Sequence, residues 1–185
     1  KSLFPFYTSN SVVFEKKFIG NWIDTEYAKW NIQPFQEVIL KENKKISPSE
    51  LDDEQFALYN KYGKAYVVYF EKDSTKSSFL AMAFKINNQL FLDVTPIEDS
   101  QIDGLKNDLY KLHLIGTHTL AKFDLLNDNE IDIKWFSSDK LEELLKENRI
   151  KIKHEKVGFW DTIVLTASSE ELEKFIKKYM DSKDE

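Results

Sequence analysis

The sequence has no cysteine, which excludes disulfide bonds, thiolate metal ligands and thiol nucleophiles. Its five glycines are scattered singly and no G-x-S-x-G segment occurs. Phosphate-binding loops need glycines in a defined pattern, so nucleotide-binding folds are not predicted. No apolar run approaches the ~20 residues that a membrane-spanning helix needs. The chain begins at Lys1 without an initiator Met, and a removed signal peptide would leave no trace in it.

The chain has 185 residues, of which 42% are hydrophobic and 14% aromatic, enough for the core of one domain. The formal net charge is −6, and the lysines are interleaved with acidic residues. Proteins that bind a phosphate backbone usually carry a basic stripe. A nucleic-acid partner is therefore disfavoured.

Most of the chain has the aromatic and β-branched composition of short strands, separated by polar turns. The Asn87-Asn88 link predicts a hairpin, because Asn tolerates positive φ. The predicted strands cover residues 18–27, 35–41, 64–72, 77–86, 89–95, 117–126, 130–136, 149–155 and 160–167.

Helical spacing is predicted in fewer places. Residues 10–18 could form one or two turns with Asn10 as N-cap. Residues 42–63 leave two readings open, a helix from near Ser49 or a polar loop followed by a strand. Leucines at helical spacing predict a helix over residues 137–148. Ser168 and Glu171 form a capping-box pattern ahead of an apolar stripe, which predicts a C-terminal helix over 168–181.

Strands joined by tight turns pair antiparallel, and this many of them usually curl into a barrel or pack as a sandwich. We predict a mainly β chain with a single antiparallel barrel of about eight strands and helices against its outside. Residues 1–17 are expected to be an irregular or helical lead-in, and residues 18–185 the barrel domain.

Gly20-x-Trp22 on the first strand, followed by hairpin-linked strands and a late helix, resembles the lipocalin-like, or calycin, β-barrels. The resemblance implies that Gly20 allows a tight start to the strand. It also implies that Trp22 plugs the closed end of the barrel beneath a basic side chain. That side chain would be Arg149, or Lys151 or Lys153 on the same predicted strand.

The whole pattern is also similar to small secreted or lipid-anchored bacterial proteins of uncharacterised role. This second resemblance implies a location outside the cytoplasm, in the bacterial periplasm or outer envelope, and perhaps a barrel lumen. It names no ligand.

The strand face on which a side chain would lie limits the role that each candidate site residue can have. His113 and His118 are five apart, which places them on opposite faces of a strand, so no shared metal is predicted. His154 shares a face with two isoleucines and could contact a ligand or be a hydrogen-bonded residue at a barrel mouth. Asp93, inside an apolar strand, fits a carboxylate that caps backbone amides better than a catalyst.

Tyr66 and Phe70 share one strand face, and Phe79 shares a face with two alanines that could leave space in a lumen. These three rings are the other predicted ligand contacts, and ordinary close packing in the core of a small barrel is the default alternative for them. No catalytic residue, metal or cofactor is predicted. The favoured function is a non-enzymatic extracytoplasmic protein that holds a small apolar or amphipathic ligand in the barrel. The alternative is an envelope-associated interaction module whose lumen is filled by its own side chains. A membrane is expected to be contacted only through an N-terminal lipid anchor.

Overall fold

The computed structural model describes residues 1–97 and 115–180, apart from the side chain of Met180. The strands are β1 (Gly20–Ile23), β2 (Lys29–Pro34), β3 (Ala65–Lys72), β4 (Thr75–Ile86), β5 (Gln89–Pro96), β6 (Thr119–Asn127), β7 (Glu130–Trp135), β8 (His154–Val157) and β9 (Thr162–Leu165). The helices are α1 (Phe35–Glu42), α2 (Asp53–Lys61), α3 (Ser138–Lys146) and α4 (Ser169–Met180), with 3₁₀ turns at Lys16–Phe18 and Pro48–Glu50.

The first seven strands form one antiparallel sheet in chain order, and β8 pairs with β9 in a separate two-stranded sheet. Among the strands of the described residues, β1 and β7 therefore form the two edges of the large sheet. The mainly antiparallel β class is confirmed, but the seven-stranded sheet is a half-barrel that is open where a closed barrel was expected, and the count of about eight strands is not confirmed. Strand β8 is paired with β9 instead of extending the large sheet, so the sheet stays open.

The chain divides into two compact units. The Trp22 unit comprises Val13–Ala83 and Pro96–Ile115, and the His118 unit comprises Lys1–Val12, Phe84–Thr95 and Gly116–Glu185. Strand β4 begins in the first and ends in the second. The predicted single domain over residues 18–185 stays a prediction.

In the Trp22 unit, α1 packs against β2 and β3, with Val38 and Ile39 buried. The predicted strand over residues 35–41 is therefore wrong. Pro34 ends β2 in extended conformation and stands as the N-cap of the helix, where a missing N–H costs nothing. The strand that precedes it, β2, was not predicted as a separate element.

Helix α2 decides between the two readings of residues 42–63. Asp52 and Gln55 form a capping box, in which the Asp52 carboxylate accepts the Gln55 N–H at 2.8 Å and the Gln55 side chain accepts the Asp52 N–H. Because both of these backbone N–H groups, which have no partner within the helix, are bonded in this way, the helix begins at Asp53.

The helix predicted over residues 10–18 is also wrong. Val13 donates its N–H to the Ala83 carbonyl at 3.0 Å, and Val12 forms a bridge with Phe84. Valine is stiff at χ1 and favours extended backbone, so these residues run beside β4 and only Lys16–Phe18 turns.

The His118 unit has a core drawn from its strands, its helices and the N-terminal segment; its members include Phe6, Phe84, Phe91, Leu120, Leu141, Leu165, Leu172 and Ile176. The capping box predicted for α4 is confirmed. Ser168 donates its N–H to Glu171 Oε2 at 2.9 Å, and its hydroxyl accepts the Glu171 N–H.

The N-terminal segment is tied into the same unit. Ser2 is fully buried and exchanges two backbone hydrogen bonds of 2.9 Å with His118. Leu3 donates to the Leu165 carbonyl at 3.0 Å. The first residues are thus held by His118 and by β9, and the irregular or helical lead-in expected over residues 1–17 stays a prediction.

The strand predicted over residues 149–155 is wrong for most of its length, because β8 begins only at His154. Ile150 and Ile152 do alternate with exposed lysines, and both pack against the core. The alternation thus identifies which side chains are buried, although the residues before His154 do not pair as a strand.

Candidate functional site

One face of the sheet in the Trp22 unit carries a row of aromatic rings. Trp22 on β1 lies opposite Trp30 on β2, and Trp30 lies opposite Phe70 on β3. Phe79 on β4 is opposite Val68, two residues from Phe70. Residues two apart on a strand share a face, so the four rings project to the same side of the sheet.

These rings line a cleft of about 700 Å³. Phe70 packs edge to face on Trp30, with ring centroids 4.7 Å apart. Ser77 and the charged side chains of Lys29 and Lys76 also line the cleft. Its volume falls within the range of roughly 300–1,000 Å³ that is usual for small-molecule sites.

The two indole N–H groups are bonded within the unit. Trp22 Nε1 donates to the Phe18 carbonyl at 3.0 Å, and Trp30 Nε1 donates to Asp24 Oδ2 at 3.0 Å. The hydrogen bond from Trp30 is the main reason that the pKa of Asp24 lies below its usual value. With their donors satisfied in this way, both indoles can offer a ligand apolar ring surface.

The predicted ligand residues of this unit separate into two roles. Phe70 and Phe79 are half-buried and line the cleft. Tyr66 is fully buried, stacks on Phe14 at 5.2 Å and meets Phe18 edge to face. Tyr66 therefore belongs to the core.

The Tyr66 hydroxyl is held by one backbone unit. It accepts the Glu15 N–H at 2.6 Å and donates to the Glu15 carbonyl at 3.1 Å. Burial raises the pKa of Tyr66 to about 12.

The residues of the predicted plug are placed in different units. Gly20 has φ of +144°, a conformation that L side chains rarely adopt, which explains a glycine at the start of β1. Arg149 lies in the His118 unit, where its guanidinium is 3.3 Å from Glu147 Oε2. The plug role of Trp22 and its pairing with Arg149 stay predictions.

His154 lies in the His118 unit, and its Nδ1 is 2.9 Å from the Ile152 carbonyl oxygen. It lines a second cleft, of about 640 Å³, between residues 148–154 and α4. Four lysines, Lys151, Lys153, Lys174 and Lys178, also line this cleft. The role of His154 as a ligand contact stays a prediction.

A buried acid–histidine pair lies elsewhere in the His118 unit. Asp93 is 2% exposed, and its Oδ1 is 2.7 Å from His118 Nδ1. Its Oδ2 accepts the N–H of Phe6 at 2.8 Å, which confirms the prediction that Asp93 caps a backbone amide. His113 lies outside the described residues.

Within residues 1–97 and 115–180, no group of three or more His, Asp or Glu side chains is placed to hold a metal ion. In the same part of the chain, none of the helices has the length and apolar character needed to cross a membrane.

Comparisons with protein-family models, with curated proteins and with solved structures found no match to this chain. The fold and the cleft define a mainly antiparallel β protein with an aromatic cleft on one sheet face, compatible with a lipocalin-like arrangement. Sequence reasoning missed Trp30, because β2 was not recognised. The alternation of Trp30 and Ile32 was the signal that could have revealed it.

Proposed function

We propose that this protein binds a small apolar or amphipathic ligand in the cleft formed by Trp22, Trp30, Phe70 and Phe79. The observation that carries the proposal is that four aromatic rings from four strands border one space of about 700 Å³. Ligand pockets are typically concave and mainly apolar, with a few polar groups that fix orientation.

The side chains around the cleft favour a particular ligand chemistry. Ring faces suit an aliphatic or planar apolar body. Ser77 lies directly opposite Phe70 on the face of the rings and can offer its hydroxyl to a polar head group. Lys29 and Lys76 also border the cleft, but they alternate with Trp30 and Ser77 along their strands, so they add only exposed positive charge near it. A fatty acid or a similar amphiphile combines both features.

The lipocalin-like class and the extracytoplasmic, lipid-anchored location form part of the proposal. Their support is the Gly20-x-Trp22 triplet at the start of β1 and the antiparallel order of the sheet. Because the sheet has two open edges, the ligand would enter over a sheet face and not through the mouth of a closed barrel.

Fluorescence titration with cis-parinaric acid tests the proposal. We expect saturable binding by the wild-type protein and an affinity about tenfold lower for Phe79→Ala, which removes one wall of the cleft. Phe56→Ala is the matched control, because Phe56 is an exposed ring on α2, outside the cleft. Its affinity should stay within about twofold of wild type.

Two results would reject ligand binding in this cleft. One is the absence of saturable uptake of the probe by the wild-type protein. The other is equal affinity of the Phe79→Ala and Phe56→Ala variants. Native mass spectrometry of the protein purified from a heterologous host gives an independent readout. We expect a copurified lipid on the wild-type protein and less of it on the Phe79→Ala variant.

A second candidate function is an envelope-associated interaction module without a small-molecule ligand. The observation in its favour is that Tyr66, Phe14 and Phe18 fill part of the same unit with their own rings. Failure of the wild-type protein to take up any probe, together with recovery of the protein in isolated envelope membranes, would support this candidate.

A further inference from the structure

The tip of the β8–β9 hairpin exposes two aromatic rings. Phe159 and Trp160 are 88% and 84% exposed and pack edge to face on each other, with centroids 4.8 Å apart. Gly158 and Asp161, on either side of them, both have positive φ. The four-residue turn thus presents the rings at the end of the hairpin. Rings this large are seldom left in water without a partner.

The hairpin has a firm base. Val164 and Leu165 of β9 are buried, and Leu165 accepts the N–H of Leu3 at 3.0 Å. Thr166 donates to the Lys153 carbonyl at 3.0 Å. The aromatic tip is therefore displayed on a held element, which lowers the entropy cost of inserting it into a partner.

The surface next to the hairpin is basic. Residues 149–161 carry four basic and two acidic side chains, although the whole chain has a net charge of −6. His154, the first residue of β8, lines the 640 Å³ cleft together with Lys151, Lys153, Lys174 and Lys178.

One acidic side chain, Glu171, lines this basic cleft. Lys153 lies 2.8 Å from Glu171, and this contact holds the pKa of Glu171 below its usual value. The other three lysines are exposed, so the cleft keeps an excess of positive charge. Leu145, Ile150, Ile152 and Phe175 supply its apolar lining.

We propose that the Phe159–Trp160 tip and the adjoining basic cleft form a surface that binds an anionic phospholipid bilayer. The rings would enter the interfacial layer, where aromatic side chains with one wet edge are most stable. The lysines would face the anionic lipid head groups.

The spacing along the hairpin suits this partner. Strand β8 rises about 3.3 Å per residue, so His154 and the cleft lie roughly 10 Å behind Val157 at the tip. The interfacial layer on each side of the hydrocarbon core is about 5–8 Å thick. With the rings at the inner boundary of that layer, the cleft lies a few Å outside the head groups, which is within the Debye length of about 8 Å at physiological ionic strength.

The immediate surroundings of the tip favour a bilayer over a protein partner. A protein hot spot is normally enclosed by a rim that excludes water and belongs to a patch of roughly 800 Å². The neighbours here are Val157, which is 45% exposed, and a set of exposed polar side chains, Glu155, Lys156, Asp161 and Thr162. A bilayer interface needs no such rim and tolerates charged neighbours at the head groups.

Cosedimentation with vesicles of phosphatidylcholine and phosphatidylglycerol tests the proposal. We expect the wild-type protein to bind, and the double variant Phe159→Ser, Trp160→Ser to bind at least about tenfold more weakly. Ile46→Ser is the matched control, because Ile46 is 91% exposed and lies outside the His118 unit. It should bind like wild type.

A charge variant tests the cleft separately. Lys151→Glu should weaken binding to the mixed vesicles by about fivefold or more, and raised salt should reduce the difference. Vesicles of phosphatidylcholine alone should bind the wild-type protein more weakly and should show little effect of Lys151→Glu. Lys151→Glu and the double serine variant change only exposed side chains, so we expect both variants to fold.

Tryptophan emission reports insertion directly. On adding the mixed vesicles, wild type should show a blue shift that Trp160→Phe lacks, although Trp160→Phe keeps its affinity. The proposal is overturned if wild type does not bind the mixed vesicles, or if the double serine variant binds as wild type does. It is also overturned if the double variant instead loses a concentration-dependent dimer, which would assign the tip to a second copy of the chain.

Discussion

Asp93 and His118 are joined by a 2.7 Å contact between Oδ1 and Nδ1, and the other carboxylate oxygen holds the N–H of Phe6. One buried acid thus links strand β5, the residue just before strand β6 and the N-terminal segment. Because each carboxylate oxygen has its own partner, the group is stable only while all three segments stay assembled.

The first prediction concerns this acid. Asp93→Asn should lower the free energy of unfolding by about 1.5–3 kcal/mol, because two hydrogen bonds to a charged group are weakened in a buried place. Urea unfolding followed by circular dichroism measures the loss. Asp161→Asn, at an exposed turn, is the control and should change stability by less than about 0.5 kcal/mol.

A double-mutant cycle separates the histidine contact from the Phe6 amide. The coupling between Asp93→Asn and His118→Gln should be about 0.5–3 kcal/mol, since the two side chains share one hydrogen bond. Strict additivity of the two substitutions would show that the contact contributes nothing to stability.

The second prediction concerns Tyr66 and alkaline pH. Its pKa in the folded protein is about 12, against an ordinary value of 10.0, because burial disfavours the charged form. Above pH 10 the unfolded chain loses this proton first, so the folded state loses stability as the pH rises towards 12.

A shift of two pKa units corresponds to about 2–3 kcal/mol over that pH interval. Tyr66→Phe removes this titration, and the difference between the two unfolding curves isolates it from the other ionising side chains. The difference should be flat below pH 10 and should change above it. Equal slopes for the two proteins throughout would contradict the burial of the hydroxyl.

The third prediction concerns the capping box of α4. Ser168→Ala should cost about 1 kcal/mol, because the Glu171 N–H loses its acceptor. Thermal unfolding measures the effect. Ser138→Ala is the control, because Ser138 is exposed in the first turn of α3, and this substitution should be close to neutral.

The fourth prediction tests the role of Trp22. If its ring is a plug, Trp22→Ala should cost about 3–5 kcal/mol. Trp22→Phe should cost about 1 kcal/mol, because it loses the hydrogen bond from Nε1 to the Phe18 carbonyl. A loss below about 1 kcal/mol for Trp22→Ala in denaturant unfolding would contradict the plug role.

Strands β3 to β7 could be predicted because each has a long apolar or alternating run bounded by turn residues. Asn87, which has φ of +52°, occupies the turn between β4 and β5 as its residue type suggested. Residues 35–41 could not be assigned in the same way. A short apolar run fits a strand or a helix equally well, and the packing of α1 on β2 and β3 decided it.

The candidate site was predictable to the same extent as its strands. Phe70 and Phe79 were identified because β3 and β4 were recognised, and Trp30 was missed with β2. The failure of the sheet to close could not have been predicted locally. Closure depends on which strands become edge partners, and that depends on pairing between segments far apart in the sequence.

Ser2 pairs with His118 and lies beside Leu165, which has a consequence for synthesis on the ribosome. Residues near the start of the chain emerge long before both of their partners. The N-terminal segment, with the buried ring of Phe6, can pair with Asp93 and His118 earlier, but its backbone hydrogen bond to Leu165 forms only after the last strand has emerged. The His118 unit therefore completes its assembly after translation of β9, and a nascent chain arrested earlier would present Phe6 to chaperones.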